Sequence, residues 1–521
     1  MRRVSFTPSH AGPGRRILVT AAAVLLAAML LAGLAAAGTD AAPAPGLAAT
    51  PSPSPTPSPS SSPVVIQPGT GLFAQFGYSP PFTRNVPTFD AAGMPYIRSR
   101  SADPDYTGFV NTLRDGAWVR LDFIGALRAA YPDYASTQGA GGGREAQVVF
   151  DAQDRAYTLV SIRLQGGGVR NVMLWSVDHC VTWHAVTLPE GEMASETWTG
   201  HNSFDGPPPL LVCRVTSVVD PYTGKLVRDL YFTRPRFSGD GIVVPPLKLI
   251  SANALGLGDG ASTASQLVTH GETTWMVWVE TTRDPNRGSP VYLTTFDGVH
   301  DTLGNRILLA YSRPGNDGHA QPGIVIDSQG YLHVIAGAHG QPFQYRRTLV
   351  PYTAYEGWSQ LEPVGTTGYR SNPGAPQEGR QTYLAFVCDQ NDIVHLAYRQ
   401  WRRDTDSWFG GALYGALSYQ RRDPLLGWTE PQVLVVPPYA DYSIYDQTLS
   451  LDHSGRLYLS ASCTAGAEDS ERKAAVAQWK LSGREGPQPP EYLRRMVLVS
   501  DDGGVTWRFA ATADLAPRTA P

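Results

Sequence analysis

Four polar side chains stand at matched places in two neighbouring stretches of the sequence. His319 and His339 flank one Asp-centred turn signal, and Tyr383 and Arg399 flank the next. An imidazole or a phenol can transfer a proton near neutral pH, and a guanidinium pairs with a carboxylate through fixed donors. The four residues together therefore have the composition of a catalytic or anion-binding site.

The two turn signals are Asp327–Gly330 and Asp389–Asp392. In an antiparallel hairpin the arms return beside each other, so each polar pair should meet at the end away from its turn, about 25–30 Å along the strands. In both hairpins the polar pair is displaced by the same one residue from exact pairing about its turn. For any one of the four residues alone a loop or strand-end role is favoured, but the shared register of all four favours a site at one face of a symmetric fold.

The turn signals belong to a repeat that runs along most of the chain. Apolar residues precede and follow an Asp-centred turn, and the copies are separated by 54 to 64 residues. The copies are centred on Asp90, Asp151, Asp205, Thr269, Asp327, Asp389 and Asp452. A period near 60 with strand-like repeats is typical of a β-propeller. We therefore predict an all-β, seven-bladed β-propeller of four-stranded antiparallel blades over residues 72–521.

Two further motifs support the blades. Ser500–Trp507 reads S-x-D-x-G-x-T-W, and Ser176–Trp183 is the same motif with Cys180 in place of Gly. The Ser and Asp side chains are expected to bond turn backbone, and the Trp to pack between strands. Both motifs resemble the Asp-box of sialidase-like propellers. The second lies near the C-terminus, where it is placed to help close the ring.

The N-terminal part reads as an export segment and a spacer. Residues 1–38 carry four arginines followed by an uncharged Ala/Leu-rich run, which favours a signal peptide, with a retained membrane anchor as the alternative. Residues 39–71 are rich in Pro and Ser and are expected to form a disordered linker. The protein is then expected to be extracellular, or tethered to the outer face of the cytoplasmic membrane, and monomeric.

Composition excludes some partners. Only 17% of residues are charged and the net charge is −4, which argues against nucleic acid. The four cysteines show no metal-ligand spacing. A disulfide between Cys180 and Cys213 and buried free thiols are both open. No cofactor is identified, although a structural metal ion among the histidines or the Asp turns is compatible with the sequence.

The stretches 316–348 and 381–401 resemble BNR-repeat propellers of the ulvan-lyase type. The shared features are His319 before a Pro-containing strand, His339 twenty residues later, and Tyr383 sixteen residues before Arg399. The resemblance is specific over about residues 310–400 and only architectural elsewhere. It implies an exported polysaccharide lyase that cleaves acidic, uronate-containing glycans by β-elimination.

The resemblance also implies roles for individual residues. Arg399 would neutralise the uronate carboxylate, and His319 and Tyr383 would divide the roles of base and acid, with the division left open. Substrate-binding roles would fall to His339, Tyr345 and Arg346.

Two other functions remain open. A sialidase-like glycoside hydrolase would need an early arginine motif or a pair of carboxylates, for which Glu280 and Asp446 are the only suggestive positions. A non-catalytic glycan-binding propeller is also compatible with the sequence, because a fold does not dictate an activity.

Overall fold

The computed structural model describes residues 64–65, 87–98, 109–138, 147–221, 224, 226–257, 264–284, 286–312, 315–337, 339–364, 379–402, 413–436, 444–463 and 494–515. The chain divides into Met1–Thr56 and Pro57–Pro521, and every described residue lies in the second unit. The predicted export segment 1–38 falls outside the described residues. So does the predicted linker 39–71, except for strand β1 (Val64–Val65).

Seven antiparallel sheets follow one another along the chain, and each is a blade built from consecutive strands. Blade 1 contains β2 (Pro87–Phe89), β3 (Pro95–Arg98), β4 (Phe109–Arg114) and β5 (Ala117–Asp122). Blade 2 contains β6 (Tyr134–Gln138), β7 (Val149–Phe150), β8 (Ala156–Leu164), β9 (Val169–Ser176) and β10 (His184–Thr187). Between them lies α1 (Ile124–Ala130).

Blades 3 and 4 carry additional short strands. Blade 3 contains β11 (Glu192–Ser195), β12 (Leu210–Val219), β13 (Leu226–Thr233) and β16 (Lys248–Ser251), with the separate hairpin β14 (Arg236–Ser238) and β15 (Gly241–Val243). Blade 4 contains β17 (Leu267–His270), β18 (Thr273–Val279), β19 (Pro290–Asp297), β20 (Thr302–Leu303) and β21 (Ile307–Tyr311).

The last three blades complete the ring. Blade 5 contains β22 (Gly323–Ile326), β23 (Leu332–Ala336), β24 (Phe343–Arg347) and β25 (Glu362–Val364). Blade 6 contains β26 (Gln381–Cys388), β27 (Val394–Arg402), β28 (Tyr414–Asp423), β29 (Gly427–Trp428) and β30 (Gln432–Val436), and β1 pairs in parallel with β30. Blade 7 contains β31 (Ile444–Leu451), β32 (Leu457–Cys463), β33 (Arg494–Ser500) and β34 (Arg508–Phe509), followed by a 3-10 helix (Thr512–Leu515). The predicted seven-bladed architecture is confirmed.

Among the described residues, each pair of adjacent blades shares one large hydrophobic cluster. Each strand presents alternate side chains to the two neighbouring sheets, so its apolar residues can be buried on both faces. The cluster that joins blades 7 and 1 contains Phe89, Ile97, Tyr458 and Val499. This packing joins the first and last blades, and in the part of the chain that the structure describes each of these two sheets is formed by its own consecutive strands.

The Asp-centred turns share one hydrogen-bond pattern. In five of them one carboxylate oxygen accepts the backbone N–H groups two and four residues later, as in Asp327 with Gln329 and Tyr331 at 3.1 and 2.8 Å. The other carboxylate oxygen meets a Tyr or His six residues later, such as His333 at 3.0 Å. The same arrangement occurs at Asp90, Asp151, Asp389 and Asp452. The repeated Asp therefore fixes each hairpin turn and anchors the strand that follows it.

Both Asp-boxes form the predicted network. Asp502 accepts the backbone N–H and hydroxyl of Thr506, at 2.9 and 2.6 Å, and Ser500 accepts the N–H of Gly504 at 2.8 Å. The copy in blade 2 has the same bonds. Trp507 packs between blades 6 and 7, so it stabilises that interface and not the closure between blades 7 and 1.

The predicted turn at Phe204-Asp205 is wrong, because a loop of residues 196–209 joins β11 to β12 in place of a tight hairpin. We call this segment the axial loop. It crosses the turn end of the ring and reaches four other blades. Its contacts are Gly206 and Phe204 with blade 2, Ser203 with Thr269 of blade 4, Thr199 with Cys388 of blade 6, and Trp198 with His453 of blade 7.

The axial loop begins with a buried acid. Glu196 is 0% exposed, and its carboxylate accepts hydrogen bonds from the backbone and hydroxyl of Thr269 and from the side chain of Asn202. Burial raises the pKa of Glu196 to about 7, although these hydrogen bonds and Arg234 oppose the shift.

Cys180, Cys213 and Cys388 are buried free thiols. Cys180 belongs to the core between blades 1 and 2, and Cys213 to the core between blades 3 and 4. The alternative of a disulfide between Cys180 and Cys213 is therefore wrong, because blades 2 and 3 lie between the two thiols. The side chain of Cys463 lies outside the described residues. Among the described residues no helix has the length and hydropathy needed to cross a membrane.

Candidate functional site

Blades 5 and 6 bring the four predicted residues together at the face away from the Asp turns. The ring centroids of His319 and His339 are 4.9 Å apart, and those of His319 and Tyr383 are 5.4 Å apart. The rings of His339 and Tyr383 are stacked at 6.3 Å. The guanidinium carbon of Arg399 lies 4.2 Å from the centroid of the Tyr383 ring.

The strand register explains the first pair. In blade 5, Gly323 pairs with Ile335 and Ile326 pairs with Leu332. Continued beyond the strand ends, this register sets His319 opposite His339, as expected from the sequence. Glycine is required here at Gly337, because a Cβ atom would lie 2.0 Å from the carbonyl oxygen of Gln321.

A β-bulge in blade 6 changes the register of the second pair. Thr382 pairs with Arg399, whereas Ala385 pairs with Ala397, so two residues of β26 oppose one of β27 between these points. Tyr383 lies in the bulge with a φ of 63°, in the left-handed region that bulky residues seldom occupy. Bulges of this kind redirect a side chain, and here the bulge places the phenol beside the two imidazoles.

Asp317 joins the two imidazoles, and the sequence reasoning missed it. Its Oδ1 lies 2.6 Å from Nδ1 of His319, and its Oδ2 accepts a hydrogen bond from Nδ1 of His339. Because a carboxylate only accepts, each Nδ1 must carry the hydrogen, and Nε2 of a neutral ring is left as the proton acceptor. The position of Asp317 two residues before His319, followed by Gly318, was the signal in the sequence that could have identified it.

The electrostatics of Asp317 agree with this arrangement. Burial opposes the ionisation of its carboxyl group, but the hydrogen bonds from His319 and His339 hold its pKa well below its usual range. Asp317 is therefore ionised at neutral pH and orients both rings.

Neighbouring side chains fix the loop that carries Asp317. Asn316, with a φ of 53°, bonds the backbone N–H and carbonyl of Thr282 at 2.6 and 2.9 Å. Gln381 of blade 6 accepts the N–H of Phe343 at 2.7 Å, and its carbonyl accepts the N–H of Gly340 at 3.1 Å. Blades 4, 5 and 6 thus hold both histidines from three sides.

Arg399 lies beneath the cluster. It is 0% exposed, and one of its guanidinium nitrogens donates to the carbonyl oxygen of Ile444 in blade 7 at 3.2 Å. Its guanidinium carbon is also 5.9 Å from the ring centroid of Trp401, which is partly exposed. Among the four predicted residues, the side chain that Arg399 contacts is therefore Tyr383, and its charge acts on the cluster mainly through that ring.

Tyr345 and Arg346 do not join this cluster. Tyr345 is 1% exposed, packs between blades 5 and 6, and bonds Nδ1 of His333 at 2.6 Å near the Asp turn. Arg346 bonds the backbone carbonyls of Ser359 and Leu309. The resemblance placed both residues near the site by sequence proximity, but the alternation of side chains along β24 directs Tyr345 into the core.

The two carboxylates considered from the sequence for hydrolysis are Glu280 and Asp446. Glu280 is engaged by Ser251 at 2.6 Å and by Arg306 at 3.1 Å. The side chain of Asp446 lies outside the described residues.

Within the described residues, three groups of side chains have the composition and spacing to hold a metal ion. One is the cluster itself, through Asp317, His319 and His339. The others are at the turn end of the ring, and they consist of Asp90, Asp154 and His179, and of His201, Cys388 and Asp392.

The comparison with family models identifies the repeat. Residues 300–519, which include the whole cluster, match the model described as BNR repeat-containing family member. The similarity to BNR-repeat proteins that the sequence predicts is confirmed over these residues. No curated protein matches the chain.

Solved structures that are similar to this chain include a polysaccharide lyase, an arabinanase and a sialidase. A polysaccharide lyase, the PL25 ulvan lyase, has 13% identity and a TM-score of 0.33, over 49% of this chain and 55% of that one. The α-L-arabinanase of Penicillium chrysogenum has 12% identity and a TM-score of 0.35, over 64% of this chain and 90% of that one. The Trypanosoma rangeli sialidase has 11% identity and a TM-score of 0.35, over 76% and 59%. The chain spans about half the length of the ulvan lyase it matches.

Proposed function

We propose that this protein is a polysaccharide lyase that cleaves uronate-containing glycans by β-elimination. The observation that carries the proposal is the convergence of two imidazoles and a phenol, with both imidazoles oriented by Asp317. In such a reaction the C5–H bond and the C4–O4 bond break, a C4=C5 double bond forms, and O4 leaves with a proton. The site then needs a base, an acid and a positive partner for the carboxylate.

His319 is suited to be the base. Asp317 holds Nδ1, so Nε2 is the free acceptor and the ring orientation is fixed before substrate binds. The His319 side chain is 28% exposed, which leaves it open to a substrate.

Tyr383 is suited to protonate the leaving oxygen. Its ring lies within 5.4 Å of His319, so both residues reach the same sugar linkage. The positive charge of Arg399 over the ring stabilises the negative charge that the phenol oxygen carries after it has given up its proton. Tyr383 as the base is the reverse assignment, and the same arrangement would support it.

His339, with a proton on Nε2 as well as on Nδ1, is suited to bind the uronate carboxylate, because the doubly protonated ring is a positively charged donor. The role was expected of Arg399, but that side chain is buried under Tyr383, whereas the His339 side chain is 27% exposed. Trp401 at the edge of the cluster offers a flat surface on which a sugar ring can stack. A substrate with an acidic group at the cluster and a stacked neighbouring sugar fits these groups.

The location is part of the proposal. Large acidic polysaccharides are substrates outside the cell, and the sequence of residues 1–38 favours export. We therefore propose an extracellular protein or one tethered to the outer face of the membrane.

The experiment is an ultraviolet assay for the unsaturated uronate, which elimination produces and hydrolysis does not. The full chain is incubated with a panel of uronate polysaccharides, ulvan among them, beside Tyr383→Phe. We expect an absorbance rise with the native protein and none with the variant. New reducing ends without the absorbance change would assign a hydrolase.

A matched control separates chemistry from stability. Tyr157→Phe removes a phenol that bonds Asp151 at 2.8 Å in blade 2, far along the ring from the cluster. Its turnover should equal that of the native protein. Glycan binding without turnover in the native protein would make this a binding module and contradict the proposal.

A further inference from the structure

A second group of potential ligands lies where the axial loop meets blade 6, at the opposite end of the strands from the cluster. His201 comes from the loop, Cys388 from the end of β26, and Asp392 from the turn that follows it. One donor atom of each lies within 4.8 Å of the others. Nothing in the proposed lyase reaction uses these three residues.

The backbone is shaped to bring His201 to this place. Gly200 has a φ of 125°, and a Cβ atom on it would lie 1.7 Å from the carbonyl oxygen of Cys388. The Cys388 N–H donates to the carbonyl of Thr199 at 2.8 Å. Only a glycine allows this approach, and the next side chain along the loop is the imidazole.

The distances suit a tetrahedral ion. Nε2 of His201 lies 3.6 Å from Oδ1 of Asp392. The carbonyl oxygen of Asp389 lies 2.6 Å from the same nitrogen and 3.9 Å from the Cys388 sulfur. Around an ion with bonds of about 2.0–2.3 Å, tetrahedral donors are about 3.3–3.8 Å apart. Small shifts would bring the four donors to such an ion, with the His201–Asp389 hydrogen bond exchanged for a metal bond.

Further contacts hold the carboxylate and favour a cation. Asp392 accepts the N–H and the hydroxyl of Ser328 from blade 5, both at 2.7 Å, which is the kind of outer support that metal-binding carboxylates have. Burial and the negative charges of Asp327, Asp389 and Asp392 raise the pKa of the Cys388 thiol, so a bound cation must displace its proton, while the same carboxylates attract the cation.

We propose that His201, Cys388 and Asp392 bind a structural zinc-type ion that fastens the axial loop to blade 6. A thiolate, an imidazole and a carboxylate are the ligands that zinc takes in proteins, and a soft sulfur donor disfavours calcium and magnesium. The Asp389 carbonyl or a water completes the four positions.

The test uses cobalt as the probe, because Co²⁺ replaces zinc and gives a near-ultraviolet charge-transfer band only with a thiolate ligand. The full chain is treated with a chelator under reducing conditions and titrated with Co²⁺. We expect one equivalent of Co²⁺ to produce the band and added Zn²⁺ to abolish it. Chelation should lower Tm, and Zn²⁺ should restore it, because an ion that binds only the folded state stabilises it.

Variants locate the ion. Removal of a group that only hydrogen-bonds to a metal ligand weakens metal affinity by about 10–100-fold. His201→Gln and Cys388→Ser each remove a ligand itself, so each should weaken the affinity at least that much. Cys213→Ser removes a buried thiol outside the group and should keep the band. His201 lies on the loop, so its variant gives a decisive result even where Cys388→Ser fails to fold.

Two results would overturn the proposal. One is a native protein that gives no thiolate band with Co²⁺. The other is bound cobalt that survives in His201→Gln but is lost in His319→Gln, since the ion would then lie in the Asp317 cluster.

Discussion

The guanidinium of Arg399 lies over the ring of Tyr383, with its carbon 4.2 Å from the ring centroid. Arg399 is fully buried and bonds blade 7, whereas Tyr383 sits in a bulge facing the two histidines. A permanent charge is thus held on the inner side of a phenol whose outer side faces the histidines. The pair links the packing of two blades to the chemistry of one side chain.

This relationship predicts how Arg399 contributes to catalysis. If the charge acts through Tyr383, Arg399→Gln, which removes the charge, should lower kcat by about 10²-fold, as removal of one electrostatic stabiliser does, with little change in KM. A large rise in KM at unchanged kcat would show instead that Arg399 binds the substrate carboxylate directly. Steady-state kinetics on the preferred polysaccharide distinguish the two outcomes.

Asp317→Asn tests the orientation of the histidines. An amide in place of the carboxylate can donate to Nδ1, which would favour the wrong tautomer, so we expect turnover to fall by about 10²–10⁴-fold. Asp297→Asn is the matched control, because Asp297 also bonds a histidine, His300, at 2.6 Å but on an exposed surface. Equal turnover in both variants would exclude a role for Asp317.

Asp317→Asn should also change how the free energy of unfolding depends on pH. The pKa of Asp317 is lower in the folded state than in the unfolded chain, so its stabilisation is complete above the unfolded pKa, about 4, and is lost as pH falls below it. Chemical denaturation from pH 6 to pH 3 should show a smaller loss of stability for Asp317→Asn than for the native protein. Parallel curves would contradict the pairing with His319 and His339.

Glu196→Gln should change the pH dependence in the opposite direction. The pKa of Glu196 rises from 4.5 in the unfolded state to about 7 in the folded state. The folded state therefore holds a proton that the unfolded state has released, and stability falls as pH rises from about 4.5 to about 7, by up to about 3 kcal/mol. A glutamine cannot ionise, so the variant should lose this fall.

Unfolding free energies at pH 5 and pH 8 check the Glu196 prediction. The decisive quantity is the difference between the two pH values in each protein, because the substitution also changes the hydrogen bonds to Thr269 and Asn202. An identical pH difference in both proteins would contradict it.

Two adjacent glycines of the second Asp-box should respond differently to alanine. Gly503 has a φ of 64°, and a Cβ atom there would meet its nearest atom at 4.0 Å, so Gly503→Ala should cost only the conformational strain, about 1–2 kcal/mol. A Cβ atom on Gly504 would lie 1.8 Å from the Tyr419 hydroxyl. We expect Gly504→Ala to cost about 1–3 kcal/mol more, because the side chain must be displaced. Equal losses in thermal or denaturant unfolding would contradict this.

The sequence was sufficient to predict the ring, because each Asp turn carries its own local signal. The same turn sets the register of its hairpin, and the placement of His319 opposite His339 follows from it. The contact of Tyr383 with both histidines depends on the bulge between Thr382 and Ala385, which leaves no local pattern in the sequence. The alignment of Tyr383 with Arg399 was therefore predicted in the wrong register by one residue.

Other features depend on contacts that are distant in sequence. The role of Asp317 required knowing that His339 returns beside it, and the burial of Tyr345 required knowing which face of β24 meets blade 6. In the axial loop, Phe204-Asp205 imitates the turn pattern and therefore predicts a repeat that the structure does not contain. The loop owes its path to partners in four other blades, which no local pattern records.

The axial loop also constrains the order in which the protein can assemble. His201 leaves the ribosome well before its partner Asp389, which follows 188 residues later in the chain. Blades 1 to 5 can pack in sequence as they emerge, since each core cluster needs only the next blade. The loop must wait for blades 6 and 7, so its ordering marks the completion of the ring. Protection of the loop's backbone amides from hydrogen exchange would report whether a nascent or truncated chain has reached its final state.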